Sequence, residues 1–153
     1  LSFYGGGGEG SAKEFLRKFF AQAKPRDYVA LQAYLTETPG TEEVFRSLRR
    51  RLREKFRLGT TFGYGPRFLH STGQYHKGGP DTGLFLQFTA GAGVDAPIPG
   101  SPFSFATLRR AQAQGDFEAL QKRGRRVAGI DLGPDLLRGL RDFCTILEEA
   151  IGG

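Results

Sequence analysis

Both histidines of the chain, His70 and His76, fall in one short stretch, Gly63-Tyr-Gly-Pro-Arg-Phe-Leu-His-Ser-Thr-Gly-Gln-Tyr-His-Lys-Gly-Gly-Pro80, together with Arg67 and Lys77. An imidazole trades protons near neutral pH. Lysine and arginine can hold a phosphate or a developing oxyanion, and glycines let backbone N–H groups approach a ligand closely. The stretch therefore has the make-up of a phosphometabolite site with acid–base ability. A buried His70, hydrogen-bonded in a turn, is the competing reading of the same residues. Two histidines without a cysteine or regularly spaced carboxylate beside them are a poor ligand set, so no metal is expected. The spacing of a Walker loop is missing as well. The single cysteine, Cys144, excludes an internal disulfide framework and a multi-cysteine zinc site. It lies beside a helical stripe and reads as a core thiol, which makes a reducing, cytoplasmic location the expectation.

These residues need a scaffold, and the 153-residue chain is long enough for one domain with a real core. Ser11 to Glu14 reads as a capping box ahead of a helix that ends before Pro25. Residues 28–35 read as a buried strand, with a short helix as the alternative. Helix-start signals at residues 38–43 open a second helix that runs to about Phe56. Residues 58–64 and 84–89 read as strands, separated by the polar, glycine-rich residues 67–80. Residues 91–99 read as a loop. Ser101-Pro102 can start a helix to about Gln114, and Asp116 can cap a short one to Gln121. Residues 126–131 are a fourth strand, and a last helix starts at Gly133-Pro134. Strands separated by helices imply parallel pairing. The sheet's carboxyl ends are where such folds bind ligands, and the histidine stretch follows the second strand directly.

The charge balance, 22 basic against 16 acidic residues, is +6 and favours anionic partners. Much of it sits in Arg46, Arg49, Arg50, Arg51, Arg53, Lys55 and Arg57, with a second cluster at Lys122, Arg123, Arg125 and Arg126. The first cluster falls opposite the apolar stripe Val44, Phe45, Leu48, Leu52 and Phe56, as a solvated helix face does. No aromatic residues interleave with it, so nucleic acid is not the expected partner. No apolar run approaches the ~18 residues of a membrane helix, and no signal peptide is visible. The chain has no methionine and opens at Leu1 with a glycine-rich stretch. It is expected to be a piece of a longer protein, with residues 1–10 a junction or loop and residues 11–153 one domain.

Gly65-Pro-Arg-Phe-Leu-His-Ser-Thr-Gly-Gln-Tyr-His-Lys-Gly-Gly-Pro80 and Thr82-Gly-Leu-Phe-Leu-Gln87 resemble the C-terminal part of glucose-6-phosphate isomerases, closest to the form fused behind a transaldolase. The likeness continues through Pro97-Ile-Pro-Gly-Ser-Pro-Phe-Ser-Phe105, Ala111-Gln112, Gly115-Asp116 and Arg123-Gly-Arg-Arg126, with Asp27-Tyr-Val-Ala-Leu31 upstream. It covers roughly residues 25 to 150. The resemblance implies an α/β three-layer sandwich with a mostly parallel sheet, the second of two sugar-isomerase subdomains. It implies that His70 is the ring-opening acid–base residue and that the enzyme is a dimer sharing this histidine with the neighbouring subunit. The family's base is a glutamate upstream of the histidine. The motif around it is not preserved here, and Glu54 is the only acid near that position. The family's late lysine is missing too, which leaves Lys77 or Arg138 to supply a cation.

The expected function is therefore part of an isomerase that interconverts glucose 6-phosphate and fructose 6-phosphate without metal or organic cofactor. His70 and Glu54 are the candidate catalytic residues, and Arg67, Ser71, Gln74, His76 and Lys77 the candidate substrate-binding residues. The expected partners are the sugar phosphate, the upstream subdomain of the same parent chain and a second copy. The family's phosphate loop belongs to the first subdomain, so this chain alone is expected to fold but to show little activity. The alternative is a non-catalytic sugar-phosphate-binding or oligomerisation module that keeps the fold.

Overall fold

A computed structural model of the chain describes residues 1–91, 93 and 95–152. The strands are β1 (Ser2–Gly5), β2 (Tyr28–Tyr34), β3 (Gly59–Tyr64), β4 (Gly83–Thr89) and β5 (Arg126–Asp131). The helices are α1 (Ala12–Phe20), α2 (Pro39–Phe56), α3 (Thr72–Gly78), α4 (Phe105–Lys122) and α5 (Leu136–Ile151), with a 3-10 turn at Arg67–His70. The sheet order is β1-β5-β4-β2-β3. β2, β3, β4 and β5 are parallel, and β1 joins β5 antiparallel. Helices cover both faces of the sheet, so the expected three-layer α/β architecture is what the chain adopts.

Local signals start the helices. Ser11 and Glu14 cap α1 reciprocally, with Ser11 N–H donating to Glu14 Oε2 at 2.9 Å. Thr38 and Thr41 do the same for α2, whose first residue is Pro39. In the strands, alternation sorts residues to two faces. Val29, Leu31 and Ala33 of β2, with Leu84, Leu86 and Phe88 of β4, point into the larger core under α1, α2 and α5. Ala30 and Phe85 point the other way, toward Phe117 and Leu120 of α4.

Four readings of the sequence are corrected or refined. The opening residues are not a bare junction: Phe3 packs on Phe15 with ring centroids 5.3 Å apart, and Tyr4 on Phe117 at 4.9 Å. These two aromatic residues anchor opposite sides of a four-residue strand that pairs with β5, and the following glycines make the turn, Gly5 at φ +92°. The polar, glycine-rich residues 67–80, read as a separator between two strands, contain the 3-10 turn and α3. The helix read as two pieces is one, α4, capped by Ser104 rather than Ser101. Asp116 is not a cap but a buried side chain in its middle. Finally, α5 is capped by Asp135, whose carboxylate accepts from Arg138 N–H at 3.0 Å, just beyond the Gly133-Pro134 start. Of the residues read as the 91–99 loop, 92 and 94 lie outside the described residues, as does 153 at the end of the expected domain.

Candidate functional site

The 3-10 turn follows β3 at the carboxyl end of the sheet. Gly65 N–H donates to Ala33 O at 2.9 Å, which carries the β2–β3 pairing one step further. Gly65 lies under the Tyr34 ring, where a Cβ would collide. Phe68 turns inward onto Tyr34, with centroids 5.6 Å apart. Gly73 packs against Phe68 as α3 begins. This anchoring leaves His70 exposed on the outer side of the turn.

Its expected companions have different fates. Ser71 and Gln74 are also exposed, and both bond the platform itself: Ser71 Oγ to Phe68 O at 3.3 Å and Gln74 Nε2 to Leu69 O at 2.9 Å. Arg67 pairs with Glu37 at 3.0 Å. Because 3-10 side chains three apart share a side, Arg67 and His70 project from the same edge of the turn. Glu37, on the loop between β2 and α2, is thus a carboxylate brought to this end of the sheet. Its signal in the sequence was an acid placed just beyond a buried strand.

Glu54 does not join them. α2 returns the chain from the carboxyl end of β2 to the amino end of β3, and Glu54 is exposed near the end of that return. Within one chain it therefore lies at the opposite end of the sheet from His70. His76 and Lys77 face inward. His76 is buried, its ring 5.0 Å from Phe85, and Gln32 donates its amide N–H to Nδ1 at 3.1 Å. That bond puts the proton of the neutral ring on Nε2. Burial lowers the pKa of His76, and Lys77 adds to this, while Asp116 opposes it. Lys77 Nζ lies 2.5 Å from Asp116 Oδ1, and Tyr34 donates its hydroxyl to Asp116 Oδ2 at 3.1 Å. Burial and the Asp116 charge push the Tyr34 phenol well above its usual range. Beneath this cluster, Gln32 Oε1 and both polar atoms of Gln87 are buried without a hydrogen-bond partner among the described residues.

The basic clusters are largely structural. Arg49 donates to Thr60 O at 3.1 Å, and Arg51 pairs with Glu148. Arg126 bonds Asp27 at 2.6 Å, and Arg125 bonds the carbonyls of Lys77 and Gly79, fixing the end of α3. Arg138 lies on α5 and is 3.9 Å from Asp142. No group of three or more His, Cys, Asp or Glu side chains suited to a metal occurs among the described residues. No helix among them is long and apolar enough to cross a membrane.

A second feature owes nothing to the histidine stretch. A cleft of about 740 Å³ opens at the carboxyl ends of β2, β4 and β5, alongside α4. Tyr34, Thr89, Ala90 and Asp131 line it from the sheet, Tyr4 from β1, and Arg109, Arg110 and Phe117 from α4. None of the seven residues singled out in the sequence lines it.

A five-stranded, mostly parallel α/β layer with a cleft at its carboxyl edge is the class of protein this chain represents. Its fold is similar to that of a hypothetical protein from Thermus thermophilus, with a TM-score of 0.71 and 16% identity. The match covers 92% of this chain and 40% of that one, so the chain spans less than half the length of that protein. At this identity the likeness shows the fold alone. A de novo designed Rossmann fold protein aligns over 80% of this chain and 98% of its own, with 16% identity and a TM-score of 0.41. No family model matches the chain, and no curated protein matches it.

Proposed function

We propose that this chain is the second subdomain of an aldose–ketose isomerase that interconverts glucose 6-phosphate and fructose 6-phosphate. The observation that carries this reading is the exposed imidazole of His70, held on an anchored turn at the carboxyl edge of the sheet that also carries Arg67, itself paired with Glu37. An acid–base group that faces outward suits a site completed by another chain, so the proposed assembly is a homodimer with the upstream subdomain supplying the phosphate site. In ring opening, His70 protonates the ring oxygen as the C1–O bond breaks and the C1 hydroxyl loses its proton to form the aldehyde. A carboxylate then takes the C2 proton and returns it to C1 through an enediolate, while a proton passes between the two oxygens. The base is Glu37 or comes from a second chain, because Glu54 of the same chain lies at the far end of the sheet. The non-catalytic reading draws on that same separation of Glu54 from His70.

The test is turnover by the complete protein that contains this chain, with cyclic and with open-chain substrate. His70→Ala is expected to lower turnover of the cyclic form by about 10²–10⁴-fold, the range of a general acid–base group, and that of the open-chain form by less. Equal losses reject the ring-opening role. Binding of glucose 6-phosphate with no turnover by the wild type selects the non-catalytic module.

A further inference from the structure

The sheet has one topological switch point. β2 connects to β3 on one side through α2, and β4 connects to β5 on the other side through α4. The loops after β2 and β4 therefore part in opposite directions, and the crevice between them is where open α/β sheets take their ligands. The 740 Å³ cleft is this crevice: Tyr34 is the last residue of β2, Thr89 the last of β4, and both line it. Its size is that of a small-molecule site.

The cleft carries two cations, Arg109 and Arg110, and three acids. Each of its three acids already holds donors: Asp95 Oδ1 accepts from the Ala96 and Ala106 amides, both at 2.9 Å, Asp131 Oδ1 from Gly133 N–H at 2.8 Å, and Glu118 Oε1 from Gln114 at 2.9 Å. Arg109 donates to Thr36 Oγ1 at 3.5 Å and its charge helps to hold the Asp95 carboxyl below its usual range, whereas Arg110 is exposed and has neither ion pair nor hydrogen bond among the described residues. Guanidinium groups so placed match the oxygens of a phosphate. Deeper in, Thr89 Oγ1 donates to Asp131 Oδ2 across a long 3.5 Å and also bonds the Tyr4 phenol, which leaves Asp131 Oδ2 the acceptor most open to a ring hydroxyl and Thr89 able to exchange its long bond for one. Burial raises the pKa of the Tyr4 phenol, which remains a donor at neutral pH. The rings of Tyr4 and Phe117, 4.9 Å apart, form an apolar wall beside these groups.

We propose that this cleft binds a phosphate monoester carried on a hydroxylated ring, with Arg109 and Arg110 on the phosphate and Asp131 and Thr89 on ring hydroxyls. It is separate from the His70 surface, because Tyr34, Phe68 and Ala113 pack into one cluster between them. A sugar phosphate and a nucleoside monophosphate share this chemistry.

Amide NMR titration of the chain tests the proposal, with glucose 6-phosphate, AMP, glucose and inorganic phosphate as probes. At least one of the two esters is expected to saturate and to shift the amides of Thr89, Asp131 and Phe117 rather than those of residues 67–71. The tighter ester identifies the source. Glucose is expected to produce no shift. Arg110→Ala, on an exposed side chain, is expected to weaken binding about tenfold, as loss of one charged hydrogen-bonding group does. Asp131→Asn is expected to weaken the esters and not inorganic phosphate, and His70→Ala to leave binding unchanged. The proposal is overturned if neither ester saturates, if the shifts map to the 3-10 turn, if Arg110→Ala binds as the wild type does, or if inorganic phosphate binds as tightly as both esters. None of these outcomes depends on isomerase activity, so the cleft and the His70 reading stand or fall separately.

Discussion

On the face covered by α1, α2 and α5, the residues that β2, β4 and β5 turn inward are apolar: Val29, Leu31 and Ala33, then Leu84, Leu86 and Phe88, then Ala128 and Ile130. Across the same strands, on the face of α3 and α4, the inward residues include Gln32 and Gln87, register partners on neighbouring strands. Against them lie His76, Asp116 and Lys77. One face buries apolar side chains between the sheet and its helices, with its polar ties nearer the surface. The other places amides, an imidazole and an ion pair where water is excluded, and buried polar groups destabilise unless they are bonded. The cleft and the His70 turn both lie on this second side, so the polar, incompletely bonded face is the one next to both candidate sites.

The largest effect is expected on the apolar face. Phe88 is fully buried and meets Phe45 and Phe143 edge-on, at 5.2 and 5.0 Å. Phe88→Ala is expected to destabilise by about 3–5 kcal/mol, as for large-to-small changes in a packed core. A shift of the urea midpoint at unchanged slope measures it. A loss below about 1 kcal/mol would mean that this face is not rigidly packed.

On the polar face, Asp116→Ala removes the partner of both Lys77 and Tyr34. Breaking a buried pair costs about 3–5 kcal/mol, but Lys77 keeps 18% of its side chain exposed, so about 2–4 kcal/mol is expected. The double variant Asp116→Leu, Lys77→Met should recover most of that in the same denaturation experiment. If it does not, the pair does more than satisfy itself.

Gln87→Leu should act in the opposite direction. Both polar atoms of Gln87 lack a partner among the described residues, so replacing the amide with an apolar group of similar size is expected to stabilise by about 1–2 kcal/mol. Destabilisation would show that the amide is bonded in solution.

His76 gives the polar face a pH signature. Its pKa lies below the ordinary 6.5 because the ring is buried. Above 6.5 neither the folded nor the unfolded chain holds the proton, and the neutral ring's contribution is complete. As pH falls through 6.5 the unfolded chain takes up a proton that the folded chain refuses. Stability is then lost with a slope of at most about 1.4 kcal/mol per pH unit, until the folded-state pKa is reached. Thermal melts of the wild type and His76→Gln across this range test it, the variant showing the shallower dependence. The smallest effect belongs to Glu54→Gln, an exposed change at the far end of the sheet, expected within about 0.5 kcal/mol of the wild type. A larger loss of stability would show that Glu54 is held by its surroundings.

Elements defined by near neighbours were readable in advance. The caps at Ser11 and Thr38 act over three residues, and the strand at residues 126–131 shows itself by composition between a turn and a glycine. The elements that were misread or missed depend on distant contacts. β1 has four residues and is a strand because Ser2 to Gly5 lie along Asp131 to Ala128. α3 has seven residues rich in glycine, and it holds because Phe68, Phe85 and Arg125 pack or bond around it. Asp116 looked like a cap because the alternative, a buried partner for Tyr34 82 residues away, leaves no local trace.

The candidate sites divide in the same way. The sequence alone determined that an imidazole, an arginine and a hydroxyl would follow the second parallel strand at the sheet's carboxyl end, because motif and strand order are properties of neighbouring residues. Only the tertiary structure decided that His70 would face out while His76 faces in, that Glu54 would be carried to the opposite end, and that Arg109 would arrive beside Thr36 from 73 residues away. The physical reason is range. Capping and strand alternation act over a few residues, whereas a side chain's exposure and its charge partners are set by whatever the sheet register and helix packing bring against it.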